Sequence, residues 1–273
     1  MTSRWRGWII VGAVAAIVVS AMPTPVQADG TESSAQLSAA QTQFYNGRYA
    51  EAAAATADLC KAAVEALPAC ELRSSAILFQ IRRAIGEAPD KDKAFKQCAV
   101  CDGLFTTFIT EIRQAQGVAR AHLKTNPGDE QALFFLGKLD LNYVWLQLGT
   151  LGRRTGLEEY REARRSLDAV LKRNPANVRA KVARAWIDYI VDTKMPFGTK
   201  WLLGGGNKKK GLQSVREAAD AEADLFIRAE AVFALWDMQV REKNFSGAAV
   251  TARRLIADFP DNADVRKFLD AHP

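Results

Sequence analysis

The chain is short of the residues that carry out chemistry. Only two of its 273 residues are histidine, His122 and His272. Neither stands near a serine or cysteine in a nucleophile–base pattern, and no HExxH pair is present, so the usual hydrolytic and zinc-peptidase constellations lack their groups. His122 is expected simply on a helix surface. Strand-like alternation bounded by hairpin turns is missing throughout, which excludes sheet-based architectures. A strong charge of either sign is missing as well: 37 basic against 31 acidic residues give +6. The basic residues are scattered beside acids, as Arg161, Arg164 and Arg165 are beside Glu158, Glu159 and Glu162, so a nucleic-acid partner is not expected. The run Gly204–Gly211 is glycine- and lysine-rich but lacks the GK[ST] ending of a nucleotide loop, and reads as a connection opening into a helix. No catalytic residue, cofactor or metal is expected.

A membrane span is short of residues too. The main apolar run, Trp8–Met22, covers 15 residues where a spanning helix needs about 20. It follows Arg4 and Arg6 and precedes the small-residue sequence Val26-Gln27-Ala28, the plan of a secretory signal peptide cut after Ala28. Residues 1–28 are therefore read as a leader and 29–35 as a flexible lead-in. Arg4 and Arg6 are the only charges removed, which leaves +4. The expected location is the periplasm or cell envelope of a bacterium, or the medium beyond. An uncut leader would be the one route to membrane association. Export makes disulfides the default for the four cysteines, all of which lie between Cys60 and Cys101. Local pairing (Cys60 with Cys70, Cys98 with Cys101) and crossed pairing both remain open. Asp102 stands where covalent haem attachment needs histidine. A redox or metal function would require Cys98 and Cys101 to be exposed and unpaired with Cys60 and Cys70.

What is abundant is helical periodicity. Tyr160, Ala163, Leu167, Val170 and Leu171 form one stripe, Asn174-Pro175 breaks it, and Val178, Val182, Ala185 and Tyr189 begin the next. The stretch 158–192 is therefore expected to form two antiparallel helices sharing a face. Further helices are expected at 71–85, 104–124, 129–148, 212–221, 225–243, 245–259 and 263–271. A first hairpin is expected over 36–67, turning at Asn46-Gly47. Residues 193–206 form the one long irregular stretch. The whole is all-α, divided as 36–103, which contains the cysteines, and 104–272.

A repeat underlies the second part. Alanine precedes a helix-ending proline by twelve residues three times: Ala115/Pro127, Ala163/Pro175 and Ala248/Pro260. Tyr160 and Phe245 stand three before two of these alanines, and Gly47, Tyr49 and Ala52 occupy the matching places in the first hairpin. This resembles the tetratricopeptide repeat, a 34-residue helix–turn–helix unit. Pro127 to Pro175 is 48 residues and Pro175 to Pro260 is 85, so inserts at 141–156 and 193–206 are needed. The resemblance implies a right-handed α-solenoid of antiparallel hairpins ending in the cap 263–271. It also implies an exported scaffold whose first helices present a concave face to a protein or peptide. On those helices Asp140, Tyr143, Gln147, Trp186, Asp188, Tyr189 and Asp192 are the candidate partner-binding residues. Trp201, in the irregular stretch with Met195, Pro196 and Phe197, joins them. A cavity inside the curve, serving a small-ligand binder or transporter accessory subunit, is the alternative.

Overall fold

The computed structural model describes residues 28–153, 155–194 and 200–273. Those residues form twelve α-helices and no strand. They are α1 (Ala28–Tyr45), α2 (Tyr49–Ala55), α3 (Leu67–Ile85), α4 (Lys91–Gln97), α5 (Cys101–Thr125), α6 (Glu130–Val144), α7 (Leu157–Arg173), α8 (Val178–Lys194), α9 (Lys208–Ala219), α10 (Leu225–Arg241), α11 (Phe245–Asp258) and α12 (Ala263–Ala271). The all-α expectation holds. None of the described helices is long and apolar enough to cross a membrane. The expected leader lies outside the described residues except for Ala28. The lead-in 29–35 is not irregular: it forms the first turns of α1, because its serine, alanine and glutamate neighbours tolerate a helix that the following run AQTQFY requires.

The helix starts are written in short polar side chains. Asp90, Asp129, Asn207, Asn244 and Asn262 each precede a helix and accept a hydrogen bond from the backbone N–H three residues on. Each such cap satisfies a donor that the helix leaves orphaned and contributes about 1 kcal/mol. Two elements depart from the periodicity. The alanine run of α2 stops at Ala55, where Thr56 turns its hydroxyl back onto the Ala52 and Ala53 carbonyls. The helix expected over 129–148 divides at Val144 into α6 and a wider turn, Trp145–Thr150, in which Leu151 N–H reaches the Leu146 carbonyl.

Packing assigns the helices to pairs. α7 lies chiefly on α6, α8 on α9, and α10 on α11, while α7 and α8 touch much less. The 158–192 hairpin is therefore not itself a packing unit: Asn174-Pro175 is the junction between two. Both Asn174 and Asn177 donate to Glu130 Oε1 at 2.9 Å, fixing that junction to the start of α6. Close approach within pairs needs glycine. A Cβ on Gly137 of α6 would stand 3.0 Å from Leu167 of α7, and one on Gly211 of α9 would stand 2.8 Å from the Ala185 carbonyl of α8. The Gly204–Gly211 run is thus a docking surface for α8, with Arg164 donating to the carbonyls of Leu203, Gly204 and Gly205. Two apolar cores result, and α8 divides them. Ala183, Ile187 and Val191 face the core built from α2–α7, while Val182, Ala185 and Tyr189 face the one built from α9–α12.

The first helical hairpin meets the C-terminal helices. Tyr45, the last residue of α1, stacks with Phe226 and Phe233 of α10 and tilts against Phe259, with centroids 5.1–6.2 Å apart. Asn262 donates to the Tyr45 carbonyl at 2.7 Å, and Asp261 N–H to Asn46 Oδ1 at 3.0 Å. Arg48–Asp261 and Arg83–Asp264, both 2.7 Å, lie around them in solvent, where such pairs add little. The weight of the junction therefore rests on the Tyr45 ring. Truncation in Tyr45→Ala should cost about 3–4 kcal/mol, read as a lower denaturation midpoint; a loss under 1 kcal/mol would show that the ends are not coupled.

Candidate functional site

Four helices supply one charge each to a common interior point. Glu71 of α3, Lys138 of α6, Arg179 of α8 and Glu230 of α10 form a closed quartet. Lys138 Nζ lies 2.6 Å from Glu230 and 3.6 Å from Glu71; Arg179 lies 2.7 Å from Glu230 and 3.4 Å from Glu71. Phe134 and Phe135 lie under the Arg179 guanidinium at 4.6 and 5.4 Å. Ser75 donates to Glu71 Oε1, and Asn142 donates to Ser74 and Ser75, so a polar ladder continues from the quartet along α3. Burial alone would raise the Glu230 pKa, but Lys138 and Arg179 outweigh it and hold the carboxyl down at about 2. Burial works against the Lys138 charge too, and the two glutamates overcome it and raise that pKa. The quartet lies between α3, α6, α8 and α10, and its side chains fill that space. Its signal in the sequence is faint: Lys138 is the sole basic residue in the apolar α6, and Glu230 sits between alanines in α10.

The expected partner-binding residues are mostly interior. Asp140, Tyr143, Gln147, Asp188 and Tyr189 are buried, so they are not presented on a surface. Tyr143 stacks beneath Arg113 of α5 and accepts from it at 3.2 Å. Asp188 pairs with Arg184 at 2.7 Å, and Arg184 reaches Asp168 of α7. The Tyr189 hydroxyl donates to Glu242 at 2.8 Å, and burial with that carboxylate raises its pKa. Asp192 accepts from Lys200 Nζ at 2.5 Å and from the Lys208 N–H at the start of α9, and these bonds lower its pKa. Trp186 is half-buried against Trp145 and beneath Arg241. The backbone of Trp201 lies in a short helical turn, Lys200–Leu203, while its side chain and all of Met195, Pro196 and Phe197 lie outside the described residues. The sequence brings Asp140, Tyr143 and Gln147 onto one helix, but the structure turns the first two toward α5 rather than toward a groove. His122 is part-buried and pairs with Asp129 at 2.9 Å.

A polar cleft opens on the far side of α6, between α5 and α7. It encloses about 490 Å³ and is lined by Arg113, Arg120, Glu158, Glu159, Arg161, Glu162 and Arg165. Arg120 binds Glu162 at 2.5 Å, and Arg113 lies 3.6 Å from Glu159. Behind Arg120 stands Asp140, fully buried, accepting from Gln116 at 2.8 Å and lying 3.5 Å from Arg120. Its other oxygen and Gln116 Oε1 meet no donor. Burial first, then the neighbouring Glu162 carboxylate, push the Asp140 pKa up to about 9, which favours the protonated acid at neutral pH.

The cysteines form two local bonds, Cys60–Cys70 and Cys98–Cys101. All four sulfurs are thereby taken, and none is left as a thiolate for a metal. Two intramolecular disulfides are what an oxidising, exported setting produces. Among known proteins, no family model, curated protein or solved structure matches the chain.

Both charge sites can be tested. Removing one member of the quartet leaves its partners buried and unbalanced, so Glu230→Ala should cost about 3–5 kcal/mol, whereas Lys138→Met with Glu230→Leu should recover most of the loss. A single-variant cost below 1 kcal/mol would contradict the interior placement. Asp140 has a raised pKa in the fold, so its contribution is complete below the unfolded value of about 4 and is lost as pH rises toward 9. Asp140→Asn, which keeps the neutral form at every pH, should match wild type at pH 3–4 and exceed it by roughly 2–4 kcal/mol at pH 7. A difference that does not vary with pH would refute the protonated state.

Proposed function

We propose that the chain is an exported tetratricopeptide-like array, a right-handed solenoid of antiparallel hairpins, that serves as a binding scaffold for a protein partner in the bacterial envelope. The burial of the residues on which the repeat was read supports this reading. Ala115, Ala163 and Ala248 are buried, as are Ala132 and Ala180 on the helices that follow Pro127 and Pro175. Gly137 lets α6 and α7 close on each other. Two disulfides suit export.

The observation that carries the binding role is the cleft between α5 and α7. The inner side of the array is filled by the Glu71–Lys138–Arg179–Glu230 quartet, and the ends meet through Tyr45, which leaves the outer cleft as the better-placed recognition surface. Its alternating arginines and glutamates match a polar segment that carries both signs, and favour selectivity and encounter rate over raw affinity. Arg161 and Arg165 are exposed one turn apart on its rim.

Tagged protein isolated from its native envelope should bring down a partner protein in near-stoichiometric amount. The double reversal Arg161→Glu with Arg165→Glu should lower that recovery at least tenfold while leaving helicity and Tm unchanged. Equal recovery by the variant, or native mass spectra showing a small molecule and no protein, would overturn the proposal.

A further inference from the structure

Each disulfide joins a partly exposed cysteine to a buried one in the first turn of a long helix. The two differ in loop length, with separations of 10 and 3, and in what adjoins them. Cys60–Cys70 straps the irregular segment after α2 to the first turn of α3. Cys98–Cys101 encloses only Ala99 and Val100. Its first sulfur belongs to a half-exposed residue at the end of α4, and Val100 beside it is 59% exposed. Its second cysteine is fully buried and is the first residue of the 25-residue α5. One sulfur of the bond is thus the more open to attack, while the other sits at the start of a long helix whose N–H groups favour a leaving thiolate against the opposing effect of its burial. A leaving sulfur with a lowered pKa departs faster. Opening so short a loop releases little chain entropy, so the fold can survive with the bond open.

A second feature adjoins this bond. Val100 and Leu104 line a cleft of about 490 Å³ with Tyr49, and Glu51, Arg48 and Arg83 add one negative and two positive charges. Apolar side chains with a net positive charge fit an extended peptide segment that carries apolar residues and an acid, and the exposed valine between the cysteines would bring that segment's own cysteine beside Cys98.

We propose that Cys98–Cys101 is a thiol–disulfide exchange site for a cysteine-bearing protein segment, with Cys98 as the sulfur attacked. The incoming thiolate attacks Cys98 Sγ, the Cys98–Cys101 bond breaks, and its electron pair passes to Cys101 Sγ, which then takes a proton. A mixed disulfide joins the partner to Cys98. A second thiolate of the same partner attacks the partner's sulfur in that bond, closing the partner's own disulfide and releasing Cys98, which is protonated in turn. Two electrons and two protons move from the partner dithiol to the cysteine pair, and the exchange is reversible. It goes beyond the scaffold reading and does not depend on the cleft between α5 and α7.

The test uses the mature chain in glutathione buffers of graded poise, and a synthetic dithiol peptide with apolar residues beside its cysteines. Thiols are alkylated and assigned by peptide mass spectrometry. Cys98–Cys101 should open while Cys60–Cys70 stays closed and helicity is unchanged, and its exchange should be at least tenfold faster. In the oxidised glutathione of these buffers Cys101→Ser should accumulate a mixed disulfide through Cys98, with one glutathione thiolate released, and Cys98→Ser, with its remaining thiol buried, at least tenfold less. Val100→Asp should slow reaction with the peptide tenfold and leave reaction with glutathione unchanged. If Cys101→Ser does not fold, the wild-type glutathione series decides alone. Opening of both bonds together with loss of helicity, or equal rates at the two bonds, would overturn the proposal, as would a Val100→Asp variant with undiminished peptide reactivity.

Discussion

Two carboxylates and two cations taken out of water must all find each other at once, because any one left over is costly. Glu71, Lys138, Arg179 and Glu230 satisfy that condition only when α3, α6, α8 and α10 stand around one point. An apolar stripe tolerates sliding and rotation of its neighbours, since Leu against Ala differs little from Leu against Val. A buried charge quartet does not. It selects one relative placement of four helices that come from four separate stretches of the chain, and the Ser74, Ser75 and Asn142 bonds extend the same selection along α3. Specificity, more than net stability, is what such a cluster supplies.

The rest of the architecture follows from that placement. With α3 and α10 both facing the quartet, the first hairpin is carried up to the C-terminal helices, and Tyr45 meets Phe226, Phe233 and Phe259. The space between α3, α6, α8 and α10 is filled by their own side chains, and the two surface clefts are lined by other residues. Asp140 shows the same logic in reverse. It is deeply buried next to Glu162 with too few donors, so its pKa is raised and the neutral acid is favoured, while Arg120 pairs with Glu162 at the cleft floor.

Much of the fold was legible in the sequence, and for local reasons. Helices 157–173, 178–194, 225–241, 245–258 and 263–271 follow the apolar period, and their ends follow Asn-Pro, Asn-Phe and Asp-Asn steps whose side chains cap or break a helix. The cysteine pairing was left open between two arrangements, since spacing alone does not choose, and the local one is found. The site was much less legible. Asp140, Tyr143 and Asp188 read as a recognition surface because they are polar residues on apolar helices, but polarity cannot say whether the neighbour is solvent or a side chain such as Gln116, Arg113 or Arg184. Partners so far apart in sequence, such as Lys138 and Glu230, leave no local pattern. The glycines at 206 and 211 read as flexibility, whereas their missing Cβ atoms are what allow α9 to rest on α8.

Small-angle X-ray scattering of residues 29–273 tests most directly whether the quartet draws the first hairpin onto the C-terminal helices. A closed, compact arrangement of this length has a radius of gyration of about 18–19 Å. That value is expected, unchanged on dilution, with a distance distribution of one symmetric peak. A radius of gyration of about 22 Å or more, with the long tail of an extended superhelix, would contradict it.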